Sequence, residues 1–335
     1  MLNTVFVIIG TIIGAGFASG KEIFTFFSIY GFGGLCGLIL SSILIGFVIY
    51  KSFNIIIKYN ISSYNQFVNK IFSKSNFINT VMCNIINIFL LISFIVMVAG
   101  FSAYFVQEFN LPYIFGGILI SIMSFITFLN NTKGLVKINQ ILVPCLICII
   151  LLLGLKNYFC FAYLDFYVSQ EVGISWIIKA LLYASYNSII LIPILISLKK
   201  YVVNIQQAKF ISIYTSVFLL LMTITLFFLL NYYFVDIQTL ELPTVFIATK
   251  LGAFYKYICG LLILGAIFTT AISNGYSFLR NLNISNRRLY CFIAFSICLI
   301  AIILSHVGFS TLLNSLYPIL GLLRFYTNYI CSIFF

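Results

Sequence analysis

Apolar residues run along this chain in stretches of about 20, separated by short polar or charged intervals, the length a helix needs to cross a bilayer. The pattern predicts spanning helices at 3–30, 32–56, 78–107, 111–130, 135–156, 173–198, 207–232, 253–280, 288–306 and 308–331. Two of these segments are not uniformly apolar. The first is interrupted by Gly10, Gly14, Gly16 and Gly20, then resumes with the adjacent charges Lys21 and Glu22. The sixth carries Tyr183-Ala184-Ser185-Tyr186-Asn187-Ser188 in mid-span, ahead of Pro193. Breaking a helix at membrane depth frees backbone N–H and C=O groups, and each unpaired group costs several kcal/mol in hydrocarbon. Non-helical stretches are therefore expected at 14–18 and 184–188, lining a polar site within an all-α polytopic membrane protein.

Composition narrows the class. The chain is 63% hydrophobic and 7% charged, against about 25% charged for soluble proteins. A net charge of +12 could point to nucleic acid, but the basic residues are dispersed among loops, and no nucleic-acid partner is expected. Placing the N-terminus inside puts Lys51, Lys58, Lys70, Lys74, Lys133, Lys137, Lys199, Lys200, Lys209, Arg280, Arg287, Arg288 and Arg324 at the cytoplasmic ends. The opposite side receives Lys21, Lys156, Lys179, Lys250 and Lys256 with all six acids, Glu22, Glu108, Asp165, Glu171, Asp236 and Glu241. That bias satisfies the positive-inside rule, so both termini are expected to be cytoplasmic. No Lys or Arg precedes the first apolar run, which argues against a cleaved signal peptide.

Little else carries chemistry. The nine cysteines are scattered through apolar segments, and the pair Cys145 and Cys148 beside Pro144 reads as core packing rather than as a redox or metal site. His306 stands alone near a helix end. With no nucleophile and base brought together, no enzyme activity is expected.

The ten segments divide into two fives, residues 1–160 and 170–335. Segments 1 and 6 begin near Asn3 and Gly173, and segments 3 and 8 near Ile78 and Ala253, an offset of about 170–175 residues. An odd number of spans per half inverts the second half relative to the first, the inverted-repeat plan. Residue identity between the halves is negligible, so hydropathy and the two breaks carry this reading.

Around the first break, Ser19-Gly20-Lys21-Glu22 has the form of a capping box, with Ser19 as N-cap and Glu22 at the third helical position. Amides there would favour an anion, while the carbonyls ending the inner half, around Gly10 to Ile13, would favour a cation. The same glycines also suit close helix packing. Lys21 and Glu22 either face a water-filled vestibule or pair with each other or with lipid headgroups; about 100° separates neighbours on a helix, so mutual pairing is awkward. Ser185 and Asn187 are candidate substrate contacts, or ordinary interhelical hydrogen bonds. In the eighth segment Ala266, Thr269 and Thr270 share a face, and two hydroxyls with a carbonyl are hard oxygen ligands suited to an alkali cation. Such threonines also bond their own i−4 carbonyls.

The run Gly10-x-x-x-Gly14-x-Gly16 resembles the unwound segment of the amino acid–polyamine–organocation superfamily, whose fold is that of LeuT. More narrowly, Gly-Thr-Ile-Ile-Gly-Ala-Gly-Phe-Ala-Ser-Gly-x-Glu-Ile, followed by Phe-Phe and Tyr-Gly, resembles the YkvI-type family of amino acid permeases; Glu241-Leu242-Pro243 and Thr269-Thr270 also suit that family. The resemblance implies a LeuT-like fold with helices 1 and 6 discontinuous, in a bacterial cytoplasmic membrane. It implies a sodium site formed by Gly10, Ile13 and Ala266 carbonyls with the Thr269 and Thr270 hydroxyls. It also implies a substrate site at Ala15, Gly16, Phe17, Ala18 and Ser19, with Tyr183, Ser185 and Asn187 opposite and Tyr104 supplying an aromatic hydroxyl. Proton-coupled relatives can place a lysine on helix 5; residues 142–155 hold no ionisable group except Cys145 and Cys148, which favours sodium. Lys21 departs from the uncharged polar residue expected there and leaves substrate charge preference open.

The expectation is a secondary active transporter importing a small amino acid or related zwitterion by alternating access, with sodium as the coupling ion and no other cofactor. The alternative is an amino-acid-sensing membrane receptor subunit on the same fold that transports nothing.

Overall fold

The computed structural model describes residues 2–62, 64, 66–67, 70, 76–129, 133–157, 174–282 and 284–313. In chain order the helices are α1 (Leu2–Ile12), α2 (Ala15–Ala18), α3 (Lys21–Phe26), α4 (Gly31–Lys58), α5 (Asn76–Phe109), α6 (Tyr113–Leu129), α7 (Lys133–Lys156) and α8 (Ser175–Leu198). They continue as α9 (Ile205–Tyr232), α10 (Phe234–Ile237), α11 (Pro243–Leu251), α12 (Ala253–Asn281) and α13 (Arg287–Ser305). The long helices match the expected segments to within two residues at each described end. Among the described residues five helices are long and apolar enough to cross a membrane, or six if the bent α8 is one span. The expected segment 308–331 lies largely outside the described residues, as do Gly173 and the acids Asp165 and Glu171.

Each long helix sorts its side chains between lipid and protein. On α4 the buried positions Gly34, Leu38, Ser41, Ser42, Ile45, Val48, Ile49, Ser52 and Phe53 recur at helical spacing. On α9 the exposed Phe210, Ile213, Tyr214, Val217 and Leu221 form the complementary outer stripe. Lipid tails are as apolar as leucine, so association relies on close packing and hydrogen bonds between helices. Gly46 of α4 lies directly against Ser216 of α9, whose Oγ donates to the Ser42 carbonyl at 2.9 Å. Between α12 and α5, Asn274 Nδ2 donates to Ser93 Oγ at 2.7 Å.

Two groups of helices emerge. The segment α4 packs on α8 and α9, while α5 packs on α6, α12 and α13. Between them, α1 touches α7, α8 and α9, α2 touches α12 and α5, and α3 touches α8 and α9. The interrupted first helix is thus surrounded by both groups.

The expected core role of Cys145 and Cys148 is corrected: both thiols are free and exposed on α7, on a helix whose buried side is filled by Val143, Leu146, Ile147, Ile149 and Ile150. Three and four residues separate one face from itself on a helix, so positions 145 and 148 share the outward side.

Candidate site at the break in the first helix

The first helix is interrupted in two short places, at Ile13-Gly14 and Ser19-Gly20, rather than unwound through 14–18 as expected: Ala15–Ala18 close one helical turn, and Gly10 and Gly16 lie inside helices. Its first half ends at Ile12, the four-residue α2 follows, and Ser19-Gly20 separates α2 from α3. Gly20 adopts φ +79°, a left-handed backbone that a side chain strains. Thr270 of α12 faces the first interruption, its methyl 3.8 Å from the place a Cβ on Gly14 would take.

The anticipated capping box does not form. Gly20, not Ser19, is the N-cap of α3. Ser19 Oγ donates back to the Gly16 carbonyl at 3.0 Å and accepts the Lys21 N–H at 3.3 Å. Glu22 does not reach back to the helix start. Its carboxylate accepts a hydrogen bond from the Tyr186 hydroxyl of α8 at 2.7 Å, and its Cγ, Cδ and Oε1 lie so close to Gly16 that a Cβ there would collide with them. Only glycine at 16 lets the carboxyl lie on the backbone of α2.

Lys21 takes the other direction. Its Nζ donates to the carbonyls of Leu240 at 2.6 Å and Gln238 at 3.4 Å, in the loop between α10 and α11. Both residues are 4% exposed, so neither faces an open vestibule or a lipid headgroup, and they do not pair with each other. The angular offset between helix neighbours sends the cation to one wall and the anion to the other.

The second interruption of the first helix is closed by α11. Thr244 donates its hydroxyl to the Ala18 carbonyl at 2.8 Å and its backbone N–H to the Ser19 carbonyl at 3.0 Å. These are the acceptors a broken helix leaves without intrahelical partners. Nearby, Gln107 bridges the backbone of Leu242 through both ends of its amide, at 3.0 and 3.2 Å. Glu241 accepts from the N–H and Oγ of Ser310 at 2.7 and 2.6 Å and from Tyr113 at 3.4 Å. The one ion pair among the described residues, Lys256 to Glu108 at 2.8 Å, stands at the same end.

The sixth segment is bent rather than unwound at 184–188. Helix α8 is continuous by hydrogen bonding from Ser175 to Leu198, yet its two parts, Ser175–Ser188 and Ile190–Tyr201, meet at 43°. Pro193 explains the position: its ring clashes with the carbonyl four residues earlier, at Ile189, and it has no N–H to give it. Asn187 and Ser188 donate to their own i−4 carbonyls, Tyr183 at 3.0 Å and Ala184 at 2.6 Å. Tyr183 is fully buried, 5.0 Å ring to ring from Phe27 and 5.3 Å from Tyr186.

The candidate residues are therefore only partly assembled. Gly16 lies against Glu22, whose hydrogen-bond donor Tyr186 packs on the ring of Tyr183, while Asn187 bonds to the Tyr183 carbonyl on the same helix. Tyr104 is buried elsewhere, its hydroxyl against Gly260 of α12, close to Glu108 and Cys259. Of the expected cation ligands, Thr269 donates to the Ala266 carbonyl at 3.2 Å, Gly10 lies against Val143 of α7, Ile13 is buried beside the break, and Thr270 faces Gly14. Sequence reasoning missed Tyr186 and Thr244 as parts of this site. A tyrosine three residues from Tyr183 shares its helix face, which is the signal that was available for Tyr186; nothing local marks Thr244.

With α-helices of membrane-spanning length arranged around a broken first helix, the protein is a multi-pass helical membrane protein. Two proteins of Bacillus subtilis (strain 168) are similar over nearly the whole chain. The uncharacterized membrane protein YkvI is 25% identical over 94% of this chain and 90% of its own length. The uncharacterized protein YyaD is 27% identical over 95% and 92%. No protein-family model matches. Among solved structures, a single-residue mutant of the manganese transporter of Eremococcus coleocola superposes with TM-score 0.67 at 13% identity, covering 99% of this chain and 77% of that one. A Na+-coupled sialic acid symporter superposes with TM-score 0.56 at 13% identity, over 99% and 78%. The chain shares the fold of these transporters.

Proposed function

We propose that the protein is a secondary active transporter that imports a small amino acid or related zwitterion, with sodium as a coupling ion. One observation carries this reading: the first helix is interrupted inside the helix bundle, and its two breaks lie between the α4–α8–α9 group and the α5–α12 group. A break so placed lets one group rock against the other around a fixed site, the alternating-access plan. The pairing of α4 with α9 and of α5 with α12, second with seventh and third with eighth, supports the inverted-repeat reading of residues 1–160 and 170–335. The transporters that share the fold support the same class, and one of them is named for sodium coupling.

Sodium is assigned to the Gly10, Ile13 and Ala266 carbonyls with Thr269 and Thr270, because Thr270 faces the first interruption. The substrate is assigned to the backbone of Ala15–Ser19 together with Tyr183, Ser185 and Asn187 of α8, on the strength of the resemblance. Tyr104 stays assigned to the substrate site on the strength of the resemblance alone.

The test is uptake of a panel of radiolabelled amino acids into proteoliposomes, with and without an inward sodium gradient. A gradient-dependent signal that the Thr269→Ala, Thr270→Ala double variant loses, while still inserting normally, is expected. Unchanged sodium dependence in that variant removes the assigned site. Thermal stabilisation by an amino acid with no uptake under any gradient removes transport and leaves a receptor.

A further inference from the structure

Glu22 has no place in the assignments above, and its surroundings are unlike those of an ordinary structural carboxylate. It is 4% exposed in the interior of a membrane protein, where an ionised carboxylate is costly and marks function by default. Among the described residues no cation pairs with it. The adjacent Lys21 is spent on the carbonyls of Gln238 and Leu240. Its hydrogen-bond donor is the neutral Tyr186 hydroxyl at 2.7 Å, and it rests on the backbone of Gly16 within the break.

We propose that Glu22 is a proton-carrying site, loaded and unloaded as α3 leaves and regains its seat against α8. The inference rests on the transporter reading but adds a second ion, separate from the α1–α12 sodium site. Three features favour a proton over an organic ammonium. The carboxyl lies against Gly16 with no room for a methyl group, so a larger cation cannot enter between them without moving α3. The Tyr186 bond bridges the broken first helix and the bent α8, so whatever changes at Glu22 acts on the contact between the two. A substrate carboxylate bound to the Ala15–Ser19 amides would meet the Glu22 carboxylate, and like charges at that range exclude each other unless one is neutralised.

The chemistry is a simple transfer. One proton from water adds to the carboxylate oxygen, giving the neutral acid, and the same proton leaves to water on the other side; Tyr186 keeps its own. The other groups facing Glu22 are few. From α8 these are Tyr186 and Tyr183, with Lys179 held over the Phe26 ring at 5.5 Å. Helix α9 brings no charged side chain to this level, Lys209 lying near its far end. From α2 there is only backbone and apolar side chain, with Ser19. Beyond Lys21 stands Glu241, already bound to Ser310 and Tyr113.

With only six acids in the chain, infrared pH-difference spectroscopy can assign the site directly. The protein reconstituted in phosphatidylcholine vesicles is titrated between about pH 5 and 9, the range that buried carboxyls reach. Wild type should gain the C=O stretch of a protonated carboxyl on acidification. Glu22→Gln should lose it, Glu108→Gln should keep it, and Tyr186→Phe should keep it at a shifted frequency because its hydrogen bond is gone. A band that persists in Glu22→Gln, or no titrating band at all, overturns the proposal. If Glu22→Gln does not fold, Tyr186→Phe decides: an unshifted band overturns it. In proteoliposomes, Glu22→Gln should lose accumulation driven by a pH gradient while retaining exchange, at least a tenfold separation of the two; equal loss of both points to a substrate ammonium contact and overturns it. The expected band without uptake of any solute in wild type leaves the proton site standing and removes the transporter reading.

Discussion

At Gly16 a single missing methyl group decides the geometry of the break. Any side chain there would strike Cγ and Cδ of Glu22, not merely its mobile tip, so Gly16→Ala must push Glu22 off Tyr186. Overpacking of this kind costs about 1–3 kcal/mol. The variant should unfold at a lower temperature in detergent, and adding Glu22→Ala should recover much of the loss, since the clash is then removed. Additive losses in the double variant would show that the two residues do not meet. Gly20 is constrained differently, by its left-handed backbone. Gly20→Ala should cost about 1–2 kcal/mol with no rescue from any change at Glu22, and the same melting assay separates the two cases. These positions were legible as glycines and as a break. That Glu22 would fold onto one of them was not, because a capping box is a local rule and the Tyr186 hydroxyl is 164 residues away.

Elements respond to the breaks in ways that local sequence does not state. Thr244 on α11 holds the carbonyls of Ala18 and Ser19, so a helix between two spans serves as the missing turn of the first one. Thr244→Val keeps the backbone bond and the shape but leaves the Ala18 carbonyl unpaired, at about 1–3 kcal/mol. Hydrogen exchange should rise at residues 17–24 and remain unchanged in α13; uniform exchange would argue against the docking. In α8 the expected unwinding at 184–188 is instead a bend at 189. Asn187 and Ser188 donate to carbonyls of their own helix, and Pro193 sets the kink four residues before itself. Pro193→Ala restores a donor for the Ile189 carbonyl, and spin labels near Ser175 and Leu198 should move apart as the 43° bend relaxes. An unchanged distance would place the cause of the bend in tertiary packing.

For the whole molecule, the charge distribution predicts both termini in the cytoplasm. A green fluorescent protein fused to the C-terminus should fluoresce in Escherichia coli, and an alkaline phosphatase fused there should be inactive. The reverse result would invert every assignment of sides. Nine of the expected segments correspond to described helices, because hydrophobic runs of membrane length have few alternatives: in hydrocarbon the backbone must bond to itself, and helices do so without help from elsewhere. For the same reason the glycine-rich interruption was readable before any contact was known. The partners were not. Which wall Lys21 and Glu22 each face, which helix supplies the hydroxyl for a buried carboxylate, and which loop closes the freed carbonyls depend on elements brought together from far along the chain. Helix, span and break follow from local hydrogen bonding and transfer to lipid, whereas the destination of each buried polar side chain is set by packing between distant segments.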